Sequence, residues 1–174
     1  MRDFPGKSRK QQEIEFSDRK TANVIRQCSE IAGQYLFCYR TDDGVLQPIR
    51  STDVNTYLRE ISGEPISAKD FRTWWGSVAA LAELAECESH GESNGEAAVT
   101  VISKRAISQA VREAAQTLGN TMAVCRQSYI HPGILQAAEA GTLCPLIEKV
   151  NQRLRPTAEL NRWEGLLLNL LPLL

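Results

Sequence analysis

A chain of 174 residues is long enough for one domain, or one domain with a small appendage, and 43% hydrophobic content supplies a core. Its 20 Lys and Arg against 21 Asp and Glu leave a formal net charge of −1. Phosphate neutralisation supplies most of the affinity of a freestanding nucleic-acid-binding module, so this balance counts against one. Charge is nonetheless segregated. Residues 1–26 hold seven Lys and Arg (Arg2, Lys7, Arg9, Lys10, Arg19, Lys20, Arg26) against four acids (Asp3, Glu13, Glu15, Asp18), whereas 83–96 hold five glutamates and no cation.

In chain order, Phe4-Pro-Gly-Lys-Ser-Arg-Lys10 reads as a turn, and the alternation in Gln12–Phe16 predicts a strand, so 1–16 is the remnant of a β-hairpin. Ser17 opens a helix to about Ala32, with Val24, Ile25, Cys28 and Ile31 on one face. Extended pieces near 36–49 flank the turn signal Thr41-Asp-Asp-Gly44. Ser51 caps the next helix, whose stripe is Val54, Tyr57, Leu58 and Ile61. Ser67 caps another that runs to about Glu86, with Phe71, Trp75, Val78 and Ala82 stacked towards the interior. On that helix Lys69 and Arg72 fall about 60° apart at about 100° per residue, away from the stripe. Ser89–Glu96 is a solvated loop. A long helix then ends at Leu118, burying Ile107, Ala110, Val111, Ala114 and Leu118, and Gly119 stops it. A short helical segment leads to Tyr129, Pro132-Gly133 breaks it, and one or two helices remain. The fold class is mainly α, with 17–174 forming a helical core and short strands near 36–49.

Five cysteines (Cys28, Cys38, Cys87, Cys125, Cys144) without a C-x-x-C pair, and two histidines, argue against a zinc site. Free thiols in a reducing compartment are expected. The N-terminus has no signal-peptide core, and the run Gly165–Leu174 is far short of the roughly 20 residues of a spanning helix. A soluble, cytoplasmic protein with no membrane partner is expected, and the leucine run reads as a terminal core helix.

Singly, the polar residues have ordinary readings. Tyr129 could be a half-buried packing residue, Lys69 and Arg72 a solvated helix face, Asn120 a helix-end residue, and Lys7 a turn lysine. Their combination carries more. Breaking a phosphodiester without a metal needs an in-line nucleophile, donors for the developing phosphorane charge, and an acid for the departing oxygen. Arginine suits the second role because its planar fork bonds two phosphate oxygens.

The strings Lys69-Asp-Phe-Arg-Thr-Trp74 and Leu118-Gly-Asn120…Arg126-Gln-Ser-Tyr129-Ile-His-Pro132, with Gly6-Lys-Ser-x-Lys10 before the strand, resemble type IB DNA topoisomerases of the poxvirus and bacterial kind. The resemblance runs over nearly the whole chain. It implies the catalytic core shared with tyrosine recombinases, and relaxation of supercoiled DNA through a 3′-phosphotyrosyl intermediate without ATP, metal or other cofactor. It further implies Tyr129 as nucleophile, Arg72 and Asn120 as ligands of the nonbridging oxygens, and Lys7 with Lys69 as proton donors to the 5′-oxygen. Arg126, Ser128, Arg9 and Lys10 would contact the backbone of double-stranded DNA, with the protein a monomer associated with the nucleoid.

Two departures qualify the implication. Family members carry a further catalytic arginine upstream of the hairpin and a β-rich N-terminal clamp domain; the chain is expected to start at the hairpin and to lack both. Pro5 stands where arginine often precedes Gly-Lys. Two alternatives follow: a catalytically impaired remnant that binds DNA or a partner, and a tyrosine recombinase core, although recombinases usually show His-x-x-Arg where this chain has Lys69-x-x-Arg72.

Overall fold

A computed structural model describes residues 4–5, 11–12, 17–31, 35–88, 102–155 and 157–174. Among these the chain is mainly helical, as the sequence predicts, with eight α-helices and two small antiparallel ribbons. Backbone contacts divide it into two compact units, 1–68 and 69–174.

In the first unit β1 (Phe4–Pro5) pairs with β2 (Gln11–Gln12), which makes the expected hairpin. The rest of the predicted strand, 13–16, lies outside the described residues. Helix α1 (Arg19–Glu30) starts slightly later than the sequence suggests, because Asp18 and not Ser17 caps it. The Asp18 carboxylate accepts the Thr21 N–H at 2.6 Å, and interaction with the Thr21 hydroxyl together with that bond holds its carboxyl below the usual range. β3 (Cys38–Arg40) and β4 (Leu46–Pro48) flank the Thr41–Gly44 turn, where Gly44 adopts φ 78°. Helix α2 (Ser51–Ser62) has Arg50 and not Ser51 as its cap position, since Asp53 reaches back to accept the Arg50 N–H at 2.7 Å. No residue of α1 or α2 is buried; of the predicted α2 stripe only Leu58 is half-buried, and Val54, Tyr57 and Ile61 stay exposed.

The second unit holds the core. Helix α3 (Ala68–Glu88) contributes Val78, Leu81 and Leu84, and α4 (Lys104–Leu118) contributes Ile107, Ala110, Val111 and Ala114. After the short α5 (Met122–Ser128) come α6 (Pro132–Ala140), α7 (Leu143–Asn151), α8 (Arg162–Leu170) and a final 3₁₀ turn at Leu171–Leu173. Pro132 therefore starts a helix where a break was expected. Proline suits that first position because its missing N–H is one the helix would not use. Three helices follow Tyr129 where one or two were predicted.

The inward face of α3 also differs from the sequence reading. Phe71 and Trp75 are 49% and 44% exposed, whereas Trp74, Ser77, Val78, Leu81 and Leu84 face the core at helical spacing. The stripe is rotated by about one residue, roughly 100°. Leu118 is half-buried, and Ala115 takes a buried place on α4 instead.

The C-terminal leucine run forms α8 and the turn after it, with Leu166, Leu167 and Leu170 buried. Asn161 accepts the N–H groups of Trp163 and Glu164 while Glu164 accepts that of Asn161, a capping box. No described helix is long and apolar enough to cross a membrane. Replacing fully buried Leu166 by alanine is expected to lower unfolding free energy by about 2–5 kcal/mol in urea denaturation. A loss below about 0.5 kcal/mol, the usual bound for surface changes, would contradict its place in the core.

Candidate active site

The last carbonyls of an α-helix have no partner within the helix. At the end of α4, Gly119 takes φ 62° and turns the chain back. Its N–H reaches the Gln116 carbonyl at 3.0 Å, and that of Asn120 reaches Ala115 at 2.8 Å. This is a Schellman closure. The Leu118 carbonyl accepts instead from side chains. Arg72 Nη2 donates to it at 2.9 Å and Asn120 Nδ2 at 3.3 Å. The negative end of the helix dipole favours a cation there. Sequence reasoning placed Arg72 and Asn120 in one site; the structure brings both donors to one oxygen.

Tyr129 completes the group. It caps α5, its N–H bonds the Cys125 carbonyl at 3.0 Å, and its ring centroid lies 5.0 Å from the Arg72 guanidinium carbon. That distance is a cation–π contact. Arg72 was set by helical spacing beside Lys69, away from the apolar stripe of α3. It is half-buried and anchored, while Lys69 is exposed.

Two neighbours on α3 that sequence reasoning passed over hold the tyrosine segment. A Cβ on Gly76 would lie 2.4 Å from the Tyr129 carbonyl oxygen, so only glycine admits this approach. Ser77, 2% exposed, donates to the Thr73 carbonyl at 2.7 Å and accepts the His131 N–H at 2.9 Å. A glycine inside an otherwise good helix is the signal that could have found the first, since it costs about 1 kcal/mol against alanine without a packing reason. Cys125 is fully buried under the same segment. Burial pushes its thiol pKa up, partly opposed by the Arg72 charge, so it is a neutral packing group.

Among the other sequence candidates, Arg126 is paired with Glu139 at 2.6 Å, both about half exposed. Such a pair is worth roughly 0–1 kcal/mol, so Arg126 exchanges partners easily. Ser128 is exposed at the end of α5. Lys7, Arg9 and Lys10 lie outside the described residues. No cluster able to hold a metal ion occurs among the described residues.

The second unit is thus a mainly helical domain that gathers arginine, asparagine and tyrosine at one helix end. The family model for the catalytic core of eukaryotic DNA topoisomerase I matches residues 2–152, and the chain belongs to this family of type IB topoisomerase domains. The match covers Arg72, Asn120 and Tyr129 and stops before α8. A search of curated proteins found no match.

Gly76→Ala tests the close approach through its sign. A helix-interior glycine replaced by alanine normally gains about 0.5–1 kcal/mol. Here overpacking is expected to cost about 1–3 kcal/mol in urea denaturation. A stabilised variant would contradict the contact with Tyr129.

Proposed function

We propose that this chain cuts and reseals one strand of double-stranded DNA, and so relaxes supercoils without ATP or a metal ion. Family membership supplies the DNA substrate and the type IB class. The finer reading rests on one observation: Arg72 and Asn120 share the Leu118 carbonyl, and the Tyr129 ring packs against the same Arg72 guanidinium. The Lys69–Trp74 string supports assignment to the poxvirus and bacterial kind.

In the proposed reaction the Tyr129 hydroxyl attacks phosphorus and gives up its proton to water. A 3′-phosphotyrosyl ester forms as the bond to the 5′-oxygen breaks, and Lys7 with Lys69 returns a proton to that oxygen. Arg72 and Asn120 take the nonbridging oxygens, where preorganised donors are worth most. One phosphoester replaces another, so the bond keeps the energy for resealing, and the free end swivels in between. Arg126, having left Glu139, would join Ser128, Arg9 and Lys10 on backbone phosphates, which position the duplex without reading its sequence. A monomer working in the cytoplasm at the nucleoid is the matching expectation.

Relaxation of supercoiled plasmid in EDTA and without nucleotide is the direct test. Wild type is expected to relax it, Arg72→Ala to be slower by about 10²–10³-fold, and Tyr129→Phe to be inactive. Relaxation by Tyr129→Phe at the wild-type rate would overturn the assignment.

A further inference from the structure

We infer that Ser77 is a positioning residue for the Tyr129 nucleophile, an inference that rests on the role proposed for Tyr129 above. The three consecutive backbone N–H groups at the tyrosine divide between two supports. Those of Tyr129 and Ile130 both bond the Cys125 carbonyl at 3.0 Å, which ties them to the end of α5. The next, on His131, leaves α5 and bonds Ser77 Oγ on α3 at 2.9 Å. The Tyr129 carbonyl, the one pressed against Gly76, lies between the two N–H groups that share Cys125, just upstream of the Ser77 support. Cys125 thus holds the backbone on both sides of the Tyr129 Cα, and the chain's exit two residues later is fixed by a side chain of the helix that carries Arg72.

A buried serine within a helix needs a reason. Its hydroxyl bonds back to the carbonyl four residues earlier, which slightly destabilises a helix, and alanine would pack as well. Ser77 is the one buried polar side chain among the described residues. Its hydroxyl uses both capacities: donation to Thr73 fixes the rotor, and a lone pair then faces His131. Helix α3 thus sets two members of the reacting group at once, Arg72 by its side chain and Tyr129 by its backbone. Misplacement of a reacting group by about 1 Å can cost on the order of 10²-fold in rate.

The test uses a nicked suicide duplex in excess over protein, with single-turnover formation of the covalent adduct and the DNA dissociation constant both measured. Ser77→Ala is expected to form adduct at least about 10-fold more slowly, with its dissociation constant unchanged within about 2-fold. Ser77→Thr, which restores the hydroxyl, is expected to recover the rate. Ile147→Val in the core of α7, expected to cost about 0.5–1.5 kcal/mol, controls for general loss of stability and should cleave as wild type does. Independent of activity, the His131 amide should exchange with solvent at least about 10-fold faster in Ser77→Ala, since its acceptor is gone. Wild-type cleavage by Ser77→Ala, a loss shared with Ile147→Val, or a loss matched by weaker DNA binding would overturn the inference. If Tyr129→Phe forms adduct, or wild type forms none, the proposed function falls and this inference with it. If Tyr129→Phe is inert while Ser77→Ala is unaffected, only the present inference falls.

Discussion

The close approach of the Tyr129 backbone to α3 is the constraint on which the rest of the site depends. Without a Cβ at Gly76 the carbonyl of Tyr129 can lie against the helix, and the ring then reaches the face of Arg72 one turn earlier. Any larger residue at 76 would push the α5–α6 connection outward and separate tyrosine from arginine. The helix accepts the glycine's conformational cost because the core beneath it is dense. Val78, Leu81 and Leu84 belong to the same buried cluster as residues of α4, α6 and α8.

Electrostatics then explains why the arginine is already in place. The Leu118 carbonyl is an acceptor at the negative end of α4, and it gathers the Arg72 and Asn120 donors at one point. A guanidinium carries five N–H donors, so its bond to Leu118 does not exhaust it. In the reaction proposed here an incoming phosphate would meet donors already oriented and partly desolvated, the condition under which they count most. The Arg126–Glu139 pair is of another kind. It sits in solvent and contributes little to stability.

Much of this was legible in the residues. Gly119 marks the end of α4 because only glycine takes the left-handed position easily, and the alternation of helix periods with turn clusters gave the mainly helical class. The tyrosine, arginine and asparagine could be named together from two short strings. The buried face of α3 was not legible. Aromatic residues at 71, 74 and 75 offer two stripes one residue apart, and the choice of Trp74 is made by tertiary partners, among them Glu164, which accepts its indole N–H at 3.3 Å. No local pattern contains a partner 90 positions away. Ser77 was hidden for the same reason, since a lone helix serine reads as polar surface until His131 is seen above it. Pro132 illustrates the reverse failure: proline starts helices as well as ending them, and only the break was read there.

The most direct measurement is to trap the covalent protein–DNA complex on a suicide duplex, digest it, and locate the modified residue by mass spectrometry. A single nucleotide-bearing peptide is expected, with the 3′-phosphate on Tyr129. A phosphate carried by another residue, or no covalent complex from wild-type protein, would contradict it.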